Sequence, residues 1–143
     1  MWETDSPTLF LLTFENDIAN KMQKGGLSMK LSEFDFHNAK IMISFPMGGK
    51  TDEECRHDYR RFVSKIKNLA GEENVKIINT YFGDDPNPGN LRGASIGVAY
   101  LARSIKAMSH ATAVYFAPGW ENARGCEIEH LVAEKYGITI LED

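Results

Sequence analysis

The sequence has 143 residues, a length that suits one domain with a sizeable core. Its formal net charge of −4, from 16 basic and 20 acidic residues, gives no broad basic surface for nucleic acid or an anionic membrane. The two cysteines, Cys55 and Cys126, are too few for a disulfide framework and indicate free thiols in a reducing compartment. No apolar run resembles a transmembrane helix or a signal peptide. We therefore expect a soluble, cytoplasmic protein with no nucleic-acid or membrane partner.

Residues 1–38 are predicted to form an N-terminal extension, separate from a regular domain over residues 39–143. Ser6-Pro7 is a helix-start signal, and Gly25-Gly26 is a stop. Between them, four apolar residues recur at every fourth position: Phe10, Phe14, Ile18 and Met22. Such an amphipathic helix needs a partner surface, on this domain or on a second subunit. A translation start at Met29, which would make the preceding residues dispensable, is the open alternative.

Strand and helix patterns alternate along the rest of the chain. Apolar runs predict strands at 41–45, 75–78, 113–116 and 138–141. A capping box at Thr51–Glu54 and apolar residues at spacings of three and four predict a helix ending at Gly71. Similar spacings predict helices ending near residues 108 and 136. This alternation predicts an α/β protein with a Rossmann-like (flavodoxin-like) open parallel sheet of about four to five strands and helices on both faces.

The predicted loops differ between the two edges of this sheet. The loops after the first three strands, at 46–50, 84–90 and 118–125, are polar and rich in glycine and proline, whereas the opposite connections are short and plain. Ligands bind at the carboxyl edge of open parallel sheets. The three loops therefore predict one composite pocket for a small molecule.

The sequence Gly48-Gly49-Lys50-Thr51 resembles the end of a phosphate-binding P-loop. The complete motif needs glycine where this chain has Ser44, and no acidic residue follows the third strand to hold magnesium. A nucleoside triphosphatase is thus disfavoured. Gly48 and Gly49 could still let a ligand approach their backbone, with Lys50 nearby, or they could form only a tight turn. No His/Cys cluster has metal-ligand spacing, so we expect no metal and no cofactor.

The last of these loops leads into a helix that carries Glu127 near its first turn. Backbone N–H groups there favour an ionised carboxylate, which could attack a sugar's anomeric carbon or could simply complement the helix dipole. Asp84 and Asp85 could bind sugar hydroxyls or form a turn. Trp120 could stack on a base or close the hydrophobic core.

Taken together, residues 41–51 and 113–130 resemble two signatures of the nucleoside 2-deoxyribosyltransferase-like proteins, and in particular a small branch common in phages and bacteria. The resemblance covers roughly residues 39–143. It implies a Rossmann-like sheet, assembly as a homo-oligomer, and chemistry at the N-glycosidic bond of a nucleoside or nucleotide.

The resemblance also implies roles for individual residues. Glu127 matches the family's nucleophile, and Glu121 matches a residue near the sugar's 5′ side, where a carboxylate favours a nucleoside over a nucleotide. Ser104 and Thr112 stand where better-studied members carry aspartates, and serine cannot act as a general acid near neutral pH. The expected substrate-binding residues come from all three loops and one helix: Phe45, Pro46, Met47, Gly48, Gly49, Lys50, Asp84, Asp85, Ser104, Trp120, Glu121, Asn122, Arg124 and Gly125.

Two functions are therefore compatible with the sequence. In the first, the protein is a deoxyribosyltransferase or N-glycosidase that forms a glycosyl-enzyme intermediate on Glu127. In the second, it has kept the pocket, lost most of the chemistry, and binds a nucleotide-derived ligand in order to sequester or sense it. The retained Glu127 favours the first function, and Ser104 with Thr112 favours the second.

Overall fold

Parallel strands form the framework of the molecule. A computed structural model describes residues 27–80 and 92–143. Its strands are β1 (Ser28–Lys30), β2 (Ala39–Ser44), β3 (Val75–Ile77), β4 (Ala113–Phe116) and β5 (Thr139–Glu142). They lie in the order β1-β5-β4-β2-β3, and every neighbouring pair is parallel. The predicted open, Rossmann-like parallel sheet is confirmed.

Three helices connect these strands: α1 (Asp52–Ala70), α2 (Ala94–Met108) and α3 (Arg124–Tyr136). The predicted capping box begins α1, because the Glu54 N–H donates to Thr51 Oγ1 at 3.2 Å and the Thr51 N–H donates to the Glu54 carboxylate at 2.8 Å. Two short 3-10 turns, Leu31–Glu33 and Trp120–Asn122, complete the described elements. Within these ranges, no helix is long and apolar enough to cross a membrane.

Alternate residues of β2 face opposite layers of the core. Ile41, Ile43 and Phe45 belong to a cluster that includes the buried side of α1. Met42 belongs to a second cluster, which includes Met108 of α2 and Ala133 of α3. Because successive strand residues point to opposite faces, α1 covers one face of the sheet and the other two helices cover the opposite face.

The strand order fixes where a ligand can enter. From β2 the chain crosses to β3 at one side, and it then returns to form β4 on the other side of β2. In a doubly wound sheet the crevice lies at this reversal, outside the carboxyl ends of the two central strands. The loops that follow β2 and β4 must therefore border any cleft at this edge.

The sheet begins earlier than the boundary predicted at residue 38. Residues 28–30 of β1 pair with β5, and both Leu31 and Phe36 are buried in the cluster beneath α1. A three-residue edge strand is too short to produce a hydrophobic pattern, so the sequence did not reveal it. At least residues 28–38 thus belong to the α/β domain. The helix predicted before Gly25 lies outside the described residues.

Replacing Leu31 with alanine tests this extension of the domain. Leu31 is 2% exposed, and we expect Leu31→Ala to lower the free energy of unfolding by about 2–5 kcal/mol in a urea titration. The control is Leu27→Ala, because Leu27 is 57% exposed and should cost no more than about 0.5 kcal/mol. Equal, small effects of the two substitutions would show that residues 28–38 are not part of the core.

Candidate functional site

A cleft of about 900 Å³ lies at the carboxyl ends of the two central strands. The end of β2 and its loop supply one wall, with Ser44, Phe45, Pro46, Met47 and Gly48. One side of α2 supplies another, with Gly97, Tyr100, Leu101 and Ser104. Residues after β4 and the start of α3 complete the lining. The cleft is thus built at the place predicted from the loop pattern.

The loops after β2 and β4 meet closely at this edge. Gly119 adopts φ +91°, a left-handed conformation that glycine tolerates far better than other residues. A Cβ atom at this position would lie 3.5 Å from Cγ of Pro46 in the other loop. This turn directs the chain through Asn122 and Ala123, both of which line the cleft, into the first turn of α3.

Glu129, in the second turn of α3, supplies a buried carboxyl group to the lining of the cleft. Its side chain is buried, with 8% of the residue exposed. Burial raises the pKa of Glu129, and the nearby hydroxyls of Ser44 and Ser104 oppose this shift. The cleft lining therefore contains a buried carboxyl group with two serine hydroxyls nearby.

Ser44 is the buried polar residue at the end of β2. Its hydroxyl lies close enough to Glu129 and Cys126 to lower the pKa of both groups. Even so, Ser44 Oγ has no hydrogen bond of ordinary geometry with any described residue. A buried hydroxyl without a partner is costly, typically by about 1–3 kcal/mol. In a cleft, such a group is available to a polar atom of a ligand.

Cys126 also lines the cleft, but its environment makes it a poor nucleophile. Burial and the carboxylates of Glu129 and Glu127 together raise the pKa of this thiol to about 11. The thiolate is the reactive form of cysteine, and little of it exists near pH 7 at such a pKa. Cys126 and Cys55 form no disulfide, and both are buried in the structure.

Glu127 does not face the cleft as predicted. Its side chain is exposed, and it is absent from the cleft lining. The physical reason is the helical period: Cys126, Glu129 and Ala133 form the buried side of α3 at spacings of three and four, and Glu127 falls outside that stripe. The expectation that position 127 supplies the carboxylate of the pocket is therefore corrected to position 129.

The other predicted ligand contacts divide into three groups. Those that line the cleft are Phe45, Pro46, Met47, Gly48, Ser104, Asn122, Arg124 and Gly125. Those that do not are Gly49, Lys50, Trp120 and Glu121. Asp84 and Asp85 lie outside the described residues. The cleft thus joins the predicted loops after β2 and β4, whereas the predicted loop at 84–90 lies outside the described residues. Not every polar residue of the two described loops lines the cleft.

Lys50 forms an ion pair on the surface of α1 and does not line the cleft. Its Nζ lies 2.6 Å from a carboxylate oxygen of Asp58, and this hydrogen bond lowers the pKa of Asp58. Gly49, with φ +76°, provides the turn that precedes this ion pair. The tight-turn interpretation of the Gly-Gly-Lys sequence fits this geometry better than a phosphate-binding loop.

Trp120 closes the core beneath the loop after β4. Its indole stacks on the His130 ring with a centroid separation of 3.8 Å, and its Nε1 donates to Glu142 of β5 at 2.9 Å. Phe116 packs against both rings. The indole is therefore engaged on the side of α3 and β5, and it is not a platform for a base in the cleft.

Ser104 and Thr112, which stand where better-studied members of the family carry aspartates, lie in different parts of the structure. Ser104 of α2 lines the cleft and contributes a hydroxyl beside Glu129. Thr112 lies just before β4, at the amino edge of the sheet, where its Oγ1 accepts the backbone N–H of Lys40 at 3.0 Å. Thr112 joins the starts of two strands and is remote from the carboxyl edge.

The structure adds cleft residues that sequence reasoning missed. Five of them carry charge or an aromatic ring on helices: Asp52 and Arg56 of α1, Tyr100 and Arg103 of α2, and Glu129 of α3. Arg56 donates to Asp52 at 2.7 Å. Helix positions alone do not reveal which face meets a cleft. The one sequence signal for Glu129 is a helical projection from Arg124, which groups it with Cys126 and Ala133 but does not show that this side of the helix borders a cleft.

The chain belongs to a known protein family. A family model described as a domain of unknown function, DUF4406, matches residues 39–142. The match begins at β2 and runs through β5, so it includes the cleft residues but not β1. No curated protein matches the chain significantly.

The burial of Glu129 predicts a pH-dependent stability. Because folding raises its pKa above the ordinary value of 4.5, folded wild-type protein should lose stability as pH rises from about 4.5 through the folded pKa. Glu129→Gln removes this loss, so the variant should gain free energy of unfolding relative to wild type over that range. Each pKa unit corresponds to about 1.4 kcal/mol. Urea titrations at a series of pH values measure the difference.

Glu127→Gln is the matched control for this measurement. It removes a carboxylate from the exposed side of the same helix, where solvent screens the charge. We expect its stability relative to wild type to stay within about 0.5 kcal/mol over the same pH range. If both variants followed the same pH dependence, Glu129 would not be the buried carboxyl group.

Proposed function

We propose that the protein is an enzyme of the N-glycosidic bond of nucleosides or nucleotides, and that Glu129 is its nucleophile. The observation that carries this proposal is the buried Glu129 carboxyl group in the cleft, flanked by Ser44 and Ser104. Burying a carboxyl group costs free energy, and perturbed titratable groups in clefts are concentrated at functional sites. The resemblance to nucleoside 2-deoxyribosyltransferase-like proteins supports the choice of substrate. The nucleophile proposed here lies two residues after Glu127, the position that matched the family's nucleophile.

The proposed reaction has two steps. A carboxylate oxygen of Glu129 attacks the anomeric carbon, the C–N bond breaks with its electron pair on the base, and the base leaves with a proton. The resulting glycosyl ester then reacts with water, or with the nitrogen of a second base, and the carboxylate is regenerated. In this scheme the ionised form of Glu129 reacts, and partial desolvation leaves its oxygens less hydrated than those of a surface glutamate.

Ser104 and Ser44 act as positioning residues in this proposal. Their hydroxyls favour the ionised form of Glu129, which opposes the effect of burial. Ser104 comes from α2 and Ser44 from β2, so the two hydroxyls reach the neighbourhood of Glu129 from different elements. Neither hydroxyl can act as a general acid near neutral pH, so in this proposal a water molecule in the open cleft donates the proton to the departing base.

A binding protein without turnover is the second candidate, and one observation favours it. The other carboxylate that lines the described part of the cleft, Asp52, accepts a hydrogen bond from Arg56. An ion-paired aspartate at the cleft wall is a weak proton donor. A site that holds a nucleotide firmly but lacks a proton donor for the base would bind without cleaving.

Base release by matched variants tests the enzyme proposal. Purified protein is incubated with a panel of nucleosides and their 5′-monophosphates, and free base is quantified by chromatography. We expect Glu129→Gln to lower base release by at least about 10³-fold, because the nucleophile is lost. Glu127→Gln should retain activity within a few-fold of wild type, since its side chain is exposed outside the cleft.

The covalent intermediate provides a second readout. Intact mass spectrometry of rapidly quenched reactions should show the protein with one added sugar unit, and peptide mapping should place it on Glu129. Equal activity of wild type and Glu129→Gln would contradict the proposed nucleophile. Stoichiometric binding of a nucleotide by wild-type protein, without base release, would establish the binding function instead.

A further inference from the structure

We infer that the protein has a second binding site, separate from the cleft, which takes the phosphate group of a small molecule. The site is a cavity of about 220 Å³ at the carboxyl edge of the sheet. Its charged groups come from the loop after β2 (Lys50), from α1 (Arg61 and Lys65) and from the end of β5 (Asp143). Of the described residues that line this cavity, Pro46 alone also lines the cleft, so the inference goes beyond the proposed function.

The lining of the second cavity carries more positive than negative charge. Three basic side chains, those of Lys50, Arg61 and Lys65, line it together with one carboxylate, that of Asp143. The whole chain has a formal net charge of −4, so the balance of charge in the cavity is opposite to that of the protein. Arg61 and Lys65 lie one turn apart on α1, and like charges at that spacing destabilise a helix. An anion bound between them would remove this repulsion.

Asp58 holds two of these cations beside the cavity and does not itself line it. Its carboxylate oxygens lie 2.6 Å from Lys50 Nζ and 3.4 Å from Arg61 Nη2. The hydrogen bond from Lys50 is the main cause of the lowered pKa of Asp58, so this carboxylate stays ionised near neutral pH. An ammonium group has three donors and a guanidinium group has five. Each cation uses one donor on Asp58, which leaves others for an anion in the cavity.

Aromatic rings position the two cations of α1. Cζ of Arg61 lies 4.9 Å from the centroid of the Phe62 ring, and Nζ of Lys65 lies 5.8 Å from that of Tyr115. Contacts of this kind are attractive. Lys65 also donates to Asp143, and the same carboxylate oxygen accepts the hydroxyl of the buried Tyr115 at 2.9 Å. The basic groups are therefore positioned before a ligand binds, which reduces the side-chain entropy lost on binding.

The composition of the lining indicates the chemistry of the ligand. A phosphate group carries close to two negative charges and several acceptor oxygens, so it matches three cations better than a single carboxylate does. The rest of the wall is apolar and consists of Pro46, Phe62 and Pro118. The organic part of a phosphomonoester would contact this wall, whereas inorganic phosphate has no such part. Lys50 takes part through its side chain, because the two glycines before it do not line the cavity.

Calorimetric titrations of the full-length protein with phenyl phosphate, inorganic phosphate and phenol test the site and separate the two sources of phosphate. We expect measurable binding of phenyl phosphate, about 10-fold weaker binding of inorganic phosphate because no apolar surface is buried, and no detectable binding of phenol. Arg61→Gln should weaken phenyl phosphate binding about 10-fold, the effect of one lost hydrogen bond between charged groups. Arg60→Gln is the matched control, because Arg60 is exposed on the same helix and does not line the cavity.

A second control separates this cavity from the cleft. Arg124 lines the cleft and not the second cavity, so Arg124→Gln should leave phenyl phosphate binding unchanged. If Arg124→Gln abolished binding and Arg61→Gln did not, the anion would bind in the cleft and the inference would be overturned. Equal weakening by Arg60→Gln and Arg61→Gln, or no binding of either phosphate, would also overturn it. Base release by Glu129→Gln tests the proposed function separately from all of these results.

Discussion

The burial of one carboxyl group, that of Glu129, is the constraint on which the rest of the site depends. A carboxylate removed from water loses hydration free energy, and in the described structure only the hydroxyls of Ser44 and Ser104 oppose the resulting rise in its pKa. The fold tolerates this cost because α3 is fixed against the sheet by its apolar side. A residue selected for stability alone would be apolar at this position, as Ala133 is one turn further along.

The position of α3 depends in turn on the loop that precedes it. Gly119 turns the chain in a left-handed conformation, and Trp120 then fixes the turn by stacking on His130 and donating to Glu142. None of Trp120, His130 and Glu142 lines the cleft. They hold the first turn of α3 at the carboxyl edge without occupying the space that a ligand needs. Structural and ligand-binding groups are thus separated within one short motif.

The cleft combines groups of opposite charge at separate places. The Glu129 carboxylate lies in the second turn of α3, whereas Arg124 and the uncapped N–H groups belong to the first turn. The cleft residues all lie within the part of the chain that matches DUF4406.

The sequence by itself determined the alternation of strands and helices, the capping box of α1 and the edge of the sheet where the cleft lies, because these depend on local periodicity and turn chemistry. Tertiary structure alone decided that β1 completes the sheet, since a three-residue edge strand carries almost no pattern. It also decided which polar side chains enter the cleft. Glu127 and Glu129 are equally plausible in a one-dimensional motif, and only the packing of α3 against β2 and β4 buries one and exposes the other.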